Sequence, residues 1–171
     1  HRLTTFDISQ LPEDGPAVSL VMAVANVWLL GTLKRNGARF KTNVVAEEGW
    51  HLIGGPGGRL FHSNQKLARA LGLSTIANFH HLSDVPSDST ARTVVKEAQT
   101  VHIYRQDREE DVNECMSSFN LQEGSRPLLT DLYQGHHLLK ISNRREIHVQ
   151  HVRSPIEEQL TDTDAAMLAA R

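Results

Sequence analysis

"VWLLGTLKRNGARFKTNVV", residues 27–45, decides how the N-terminal half of the chain is read. Trp28, Leu30 and Thr32 alternate up to Lys34-Arg35-Asn36-Gly37, and Phe40, Thr42 and Val44 alternate after it. Asn36-Gly37 suits a two-residue type I′ turn, because both residue types tolerate the positive φ that such a turn requires. The stretch therefore predicts a β-hairpin over 27–45, with "WHLIGG", 50–55, as a third strand. Immediately before it, Val18, Val21, Val24 and Val27 recur every three residues behind Pro16. That spacing predicts a buried helix over the first half of the apolar run 17–33. The run is at the short limit of the roughly 20 residues that cross a bilayer and contains Asn26 and Gly31, so no membrane span is expected.

Working outward, "LTTFDI", 3–8, reads as a first strand and "SQLPEDGP" as the turn that ends it. "SNQKLARALGL", 63–73, has Ser63 as N-cap and Gly72 as a stop, which predicts a short helix. "STIANFHHL", 74–82, follows as a strand, and "ARTVVKEAQTVHIYR", 91–105, as helix passing into strand. An acidic helix is expected near 109–119. "RPLLTDLY", 126–133, is expected to be a strand that joins the next hairpin in a three-strand meander. "SPIE", 154–157, offers Ser154 as N-cap, Pro155 at the first helical position and Glu157 as the capping-box partner of a C-terminal helix. The expected class is α+β: an antiparallel sheet built from two hairpin or meander groups, with three to five helices, one of them C-terminal. At 171 residues a single domain over 1–171 is expected.

A formal net charge of −2 exerts no global pull on nucleic acid or anionic lipid, so such binding needs a local basic patch. Lys34, Arg35, Arg39 and Lys41 gather around Phe40 on the expected hairpin, where basic groups could hold phosphates while the ring stacks a base. The glycine-rich "GGPGGR", 54–59, adds Arg59 as a candidate anion ligand, although Pro56 removes an amide and neither the P-loop nor the dinucleotide spacing is met. One cysteine, Cys115, rules out an internal disulfide framework and suits a cytoplasmic or otherwise intracellular compartment. Ten histidines, with an ordinary pKa of about 6.5, predict solubility or assembly that changes on mild acidification.

"YQGHHLLKISNRREIHVQHV", 133–152, holds four of those ten. A two-residue turn at Asn143-Arg144 would place Leu139 opposite His148 and His136 opposite His151. A second turn at Gln134-Gly135 would bring Tyr133 beside His136, with Asp131 on the same strand face. Asp131, Tyr133, His136 and His151 are thus the candidate catalytic cluster of a metal- or histidine-assisted hydrolase, and His136 and His151 its candidate metal ligands. The competing reading is a solvated histidine-lined sheet face. "GxSxG" and the recognised Cys–His contexts do not occur, and no cofactor is implied. The order "FDISQL", "LKRNG", "GWHLIGG", "LARALGL" resembles the ParB and sulfiredoxin nucleotide-binding layout over less than half the chain. The arginine-bearing box of that layout and the sulfiredoxin cysteine have no counterpart here, so no residue role is carried over. The leading expectation is a non-catalytic domain that binds a protein partner or self-associates, using sheet surfaces and the basic hairpin. Nucleic-acid binding through that hairpin is the third.

Overall fold

In a computed structural model of the chain, the described residues are 3–8, 10–12, 16–36, 40–47, 70–83, 85, 92 and 95–161. They fall into two compact units, His1–Ala98 and Gln99–Arg171. The class is α+β, with four α-helices and two sheets among the described residues.

In the first unit, the stretch expected to be a hairpin is instead the C-terminal half of a 21-residue helix, α1, Pro16–Asn36. The apolar run satisfies period 2 and period 3.6 alike, and Ala, Leu and Met favour helix. Once a helix is nucleated behind Pro16, each further residue adds a hydrogen bond without a new nucleation cost. Lys34 and Arg35 end the helix in its last turn, where cations complement the dipole. Among the valines expected in the core, Val18 is buried but Val24 and Val27 are exposed, together with Leu20 and Trp28. Residues 3–8 form no strand, although Phe6 meets Trp28 edge-on with centroids 5.5 Å apart.

Strand β1, Thr42–Ala46, pairs in parallel with β2, Leu73–Ala77, from Thr42↔Leu73 to Ala46↔Ala77. A parallel pair requires a crossover rather than a tight turn, which removes the expected partner of Phe40–Val44. Gly72 stops the preceding helical turn as expected: it adopts φ +65°, and its carbonyl accepts from the Thr42 amide at 2.9 Å. The "WHLIGG" strand, the "GGPGGR" loop and the Ser63 cap lie outside the described residues.

The second unit holds a three-stranded antiparallel sheet in the order β3 (Thr100–Ile103), β4 (His136–Ile141), β5 (Ile147–Gln150). Between β3 and β4 come α2, Glu109–Ser118, a 3₁₀ turn, Glu123–Ser125, and α3, Arg126–Asp131. The acidic first turn of α2 suits its N-terminus. Its C-terminus closes with Asn120 at φ +48° and the Leu121 amide bonded to the Met116 carbonyl at 3.1 Å, a Schellman ending with asparagine as the left-handed residue. "RPLLTDLY" is therefore largely helix, with Pro127 in its first turn, and not the first strand of a meander. Helix α4, Pro155–Thr161, carries the capping box: Glu157 N–H donates to Ser154 Oγ at 3.3 Å, and Ser154 N–H to Glu157 Oε2 at 2.8 Å.

The register of β4 and β5 differs by one residue from the expected one. Leu138 faces His148, Leu139 faces Ile147 and His136 faces Gln150. Strand alternation then sorts the side chains. Ile103, His136, Leu138, Lys140 and His148 share one face, and Ile103, Leu138 and Lys140 are buried there. His102, His137, Leu139, Ile141, Ile147 and Val149 share the other. The buried set of this unit continues through Val112, Cys115, Met116, Leu121, Leu129 and Leu132.

Candidate functional site

The register is held by a side chain. Glu146 leaves the turn and reaches the 3₁₀ segment, where Oε1 accepts from Ser125 Oγ at 2.5 Å and from the Gln122 amide at 2.8 Å. Its Oε2 lies 3.6 Å from Lys140 Nζ, and both side chains are nearly buried, at 4% and 10% exposure. Lys140 also donates to the Asn120 carbonyl at 3.4 Å. Burial pushes the Glu146 carboxyl up, but the bonds from Ser125 and Gln122 and the Lys140 ammonium outweigh it and hold the group below its ordinary value. Drawing Glu146 inward lengthens the connection beyond a two-residue turn. Ser142 takes φ +49°, Arg144 N–H bonds to the Ile141 carbonyl, and the pairing resumes at Ile147.

That shift decides which histidines meet. His136 Nδ1 lies 2.9 Å from His148 Nε2 across the β4–β5 diagonal, and His102 Nδ1 lies 3.0 Å from His137 Nε2 across β3–β4. The two pairs occupy opposite faces of one sheet. His137 is buried beneath the rings of His102 and Tyr104, with centroids at 4.8 and 5.2 Å, and its Nδ1 has no hydrogen-bond partner. A buried bare lone pair costs less than a buried unpaired N–H, which assigns the His137 proton to Nε2, donating to His102. Burial, then the neighbouring His102, His151, His148 and His136, lower the His137 pKa from its ordinary value.

Three of the four expected catalytic residues come together. Arg105, Leu128, Thr130, Asp131, Leu132, Tyr133 and His148 line an open cleft of about 470 Å³, and His136 joins it through His148 and an edge-on contact with Tyr133 at 6.2 Å. Asp131 ends α3 and Tyr133 follows it, so neither lies on a strand. His151 does not join: its amide bonds to the Gly135 carbonyl and its ring lies 3.9 Å from Glu157. His148 stands where His151 was expected, because of the one-residue register shift. Among the described residues, no group of three or more His, Cys, Asp or Glu is placed to hold a metal. The Thr130 hydroxyl donates to the Pro127 carbonyl, and the Ser125 hydroxyl that meets Glu146 is buried. The cleft thus offers an imidazole pair, one guanidinium, one carboxylate and the Thr130 hydroxyl, which also donates to Asp131 Oδ1 at 3.4 Å.

The basic cluster does not form a hairpin tip. Lys34 and Arg35 end α1, with Arg35 donating to Thr32 Oγ1, and Phe40 and Lys41 precede β1 in exposed positions. Arg39 and Arg59 lie outside the described residues. Sequence reasoning missed Arg105 and the Lys140–Glu146 pair. The one available signal for the pair was a lysine at an inward position of an otherwise apolar strand. Helix α1 is long and apolar enough to cross a membrane by length and composition alone, a test that core helices also pass.

No protein-family model and no curated protein matches the sequence. Among solved structures, VirB4 of Thermoanaerobacter pseudethanolicus is similar over 90% of this chain, with a TM-score of 0.74 and 19% identity. At that identity the likeness is one of fold. The chain spans 42% of the VirB4 chain, less than half its length.

Proposed function

We propose that the chain is a non-catalytic binding domain that self-associates through the open face of its antiparallel sheet. The observation that carries this reading is the apolar character of that face. Ile141 and Ile147 are exposed at 40% and 55%, Tyr104 continues the row beyond β3, and half-buried Leu139 and Val149 lie between them. Exposed apolar patches rimmed by polar groups mark protein interaction sites. The occupant is a second copy of this chain. Strands β3, β4 and β5 place no Asp, Glu, Lys or Arg on this face, so two copies can approach without burying a permanent charge.

Sedimentation velocity at neutral pH tests the reading. Concentration-dependent association is expected, weakened by Ile147→Asp, which places a charge within the patch on the edge strand β5. A chain that stays monomeric across the concentration range, or an Ile147→Asp variant that associates equally, refutes it. The basic segment carries no part of this proposal, because its residues are not gathered on one hairpin.

A further inference from the structure

We propose that His136 and His148 form a binding site for a divalent metal of tetragonal preference, Cu(II) or Ni(II), that bridges β4 to the edge strand β5. The inference does not depend on self-association, since these residues lie on the opposite sheet face from the apolar patch. His136 Nδ1 and His148 Nε2 face each other at 2.9 Å. A square-planar or tetragonal centre takes neighbouring nitrogens at about 90°, and metal–nitrogen bonds of about 2.0–2.1 Å then set them about 2.9 Å apart. Tetrahedral zinc with the same bond lengths needs about 3.3 Å, so a rotation of the two rings that turns their facing nitrogens toward one side, at unchanged separation, makes the tetragonal geometry. The backbone presets this spacing: the two residues are diagonal neighbours on adjacent paired strands, with Leu138 facing His148.

Access and chemistry agree with the spacing. His148 is exposed and lines the 470 Å³ cleft, which leaves room for the water ligands that a two-imidazole site requires. Asp131 lines the same cleft but is not grouped with the two imidazoles, so water supplies the oxygen donors that tetragonal Cu(II) and Ni(II) accept. The second pair, His102 and His137, has similar spacing, but His137 is buried under Tyr104 and His102, so entry there is obstructed. The cation would replace the proton shared by the two rings, releasing it to solvent. The site differs from the His136–His151 pair expected from sequence both in its second ligand and in its metal.

The test uses the ¹⁵N-labelled full chain in a non-coordinating buffer at neutral pH, titrated with Cu(II), whose unpaired electron broadens nearby amide signals. Amides of residues 136–137 and 147–149 should broaden by one equivalent, whatever other imidazoles also bind. In His148→Ala, an exposed position whose metal-free spectrum should stay dispersed, the signals of 136–137 should remain sharp; in His102→Ala they should broaden as in the unaltered chain. Ni(II) should raise the unfolding temperature of the unaltered chain and leave that of His148→Ala unmoved. Sharp signals at 136 and 148 at one equivalent, or equal broadening in His148→Ala, overturn the proposal.

Discussion

Replacing Lys140 with Met tests the network that sets the β4–β5 register. Lys140 Nζ and Glu146 Oε2 are 3.6 Å apart. At an effective dielectric of about 20, unit charges at that separation attract by about 4–5 kcal/mol. Lys140→Met removes this attraction and leaves a carboxylate whose side chain is only 4% exposed, still holding its bonds from Ser125 and Gln122. Those bonds and the ammonium's own relieved desolvation offset part of the loss, so the expected cost is about 3 kcal/mol. Glu146→Met alone should cost at least as much, because it leaves a buried ammonium with a single 3.4 Å bond to Asn120 and strips the Gln122 amide of its acceptor. The double variant removes both charges and leaves the Ser125 hydroxyl, the Gln122 amide and the Asn120 carbonyl without these partners, a cost of about 2–3 kcal/mol. The double variant should therefore be far less destabilised than the sum of the singles.

The sequence of the second unit, Gln99–Arg171, contains no tryptophan, so intrinsic tryptophan fluorescence has no probe within it. Amide hydrogen exchange along β4 reports on it directly. A loss of about 3 kcal/mol raises those exchange rates by about a hundredfold where exchange follows the opening equilibrium. Unchanged exchange in Lys140→Met, or a double variant equal to the sum of the singles within about 0.5 kcal/mol, would refute the reasoning.

Three further outcomes follow from the same unit. His137 has a lowered pKa, so the unfolded chain binds more protons below the ordinary value of 6.5; its contribution is complete above that pH and is lost as pH falls further. Glu146, also lowered, contributes fully above the ordinary 4.5 and is lost below it. Chelator-treated protein should thus exchange its β4 amides faster at pH 5.5 than at pH 7.5 under denaturant-matched, rate-corrected conditions, and a flat profile would contradict the His137 assignment. Leu129→Ala, at a fully buried side chain, should cost about 2–5 kcal/mol in the same measurement. Gly135→Ala should cost about 1–3 kcal/mol, because Gly135 holds φ +80° and a Cβ there would approach the His151 carbonyl to 3.2 Å.

What was legible in the chain was whatever short-range chemistry decides. The capping box at Ser154 and Glu157, the stop at Gly72, the acidic helix at Glu109–Ser118 and the two strands at 136–141 and 147–150 each rest on residues within a few positions of one another. The α+β class followed from them. The N-terminal hairpin failed because Ser19, Asn26 and Thr32 are too few polar residues in the apolar run to distinguish its two periods, and Asn36-Gly37 is also an acceptable way to leave a helix. "RPLLTDLY" failed for a related reason: four apolar residues in eight fit a half-buried strand or a single helical turn.

The histidine site shows how far a local error travels. A turn of two residues and a connection one residue longer in effect are nearly indistinguishable in "ISNRREI", yet in a sheet each one-residue slip changes every cross-strand neighbour. The deciding term is not in the turn at all. It is the attraction between Glu146 and three groups, at Gln122, Ser125 and Lys140, two of them more than twenty residues away in the chain. With Glu146 drawn inward, His136 meets His148 rather than His151, and His151 is left beside Glu157. The residue types of the cluster were thus readable from sequence, but its membership was set by a buried ion pair that includes no histidine. A variant that releases Glu146 should accordingly disturb the His136–His148 contact before it disturbs His102–His137, whose β3–β4 ladder does not pass through the turn. Imidazole resonances of the two pairs in Glu146→Met would distinguish this order from a uniform loosening of the sheet.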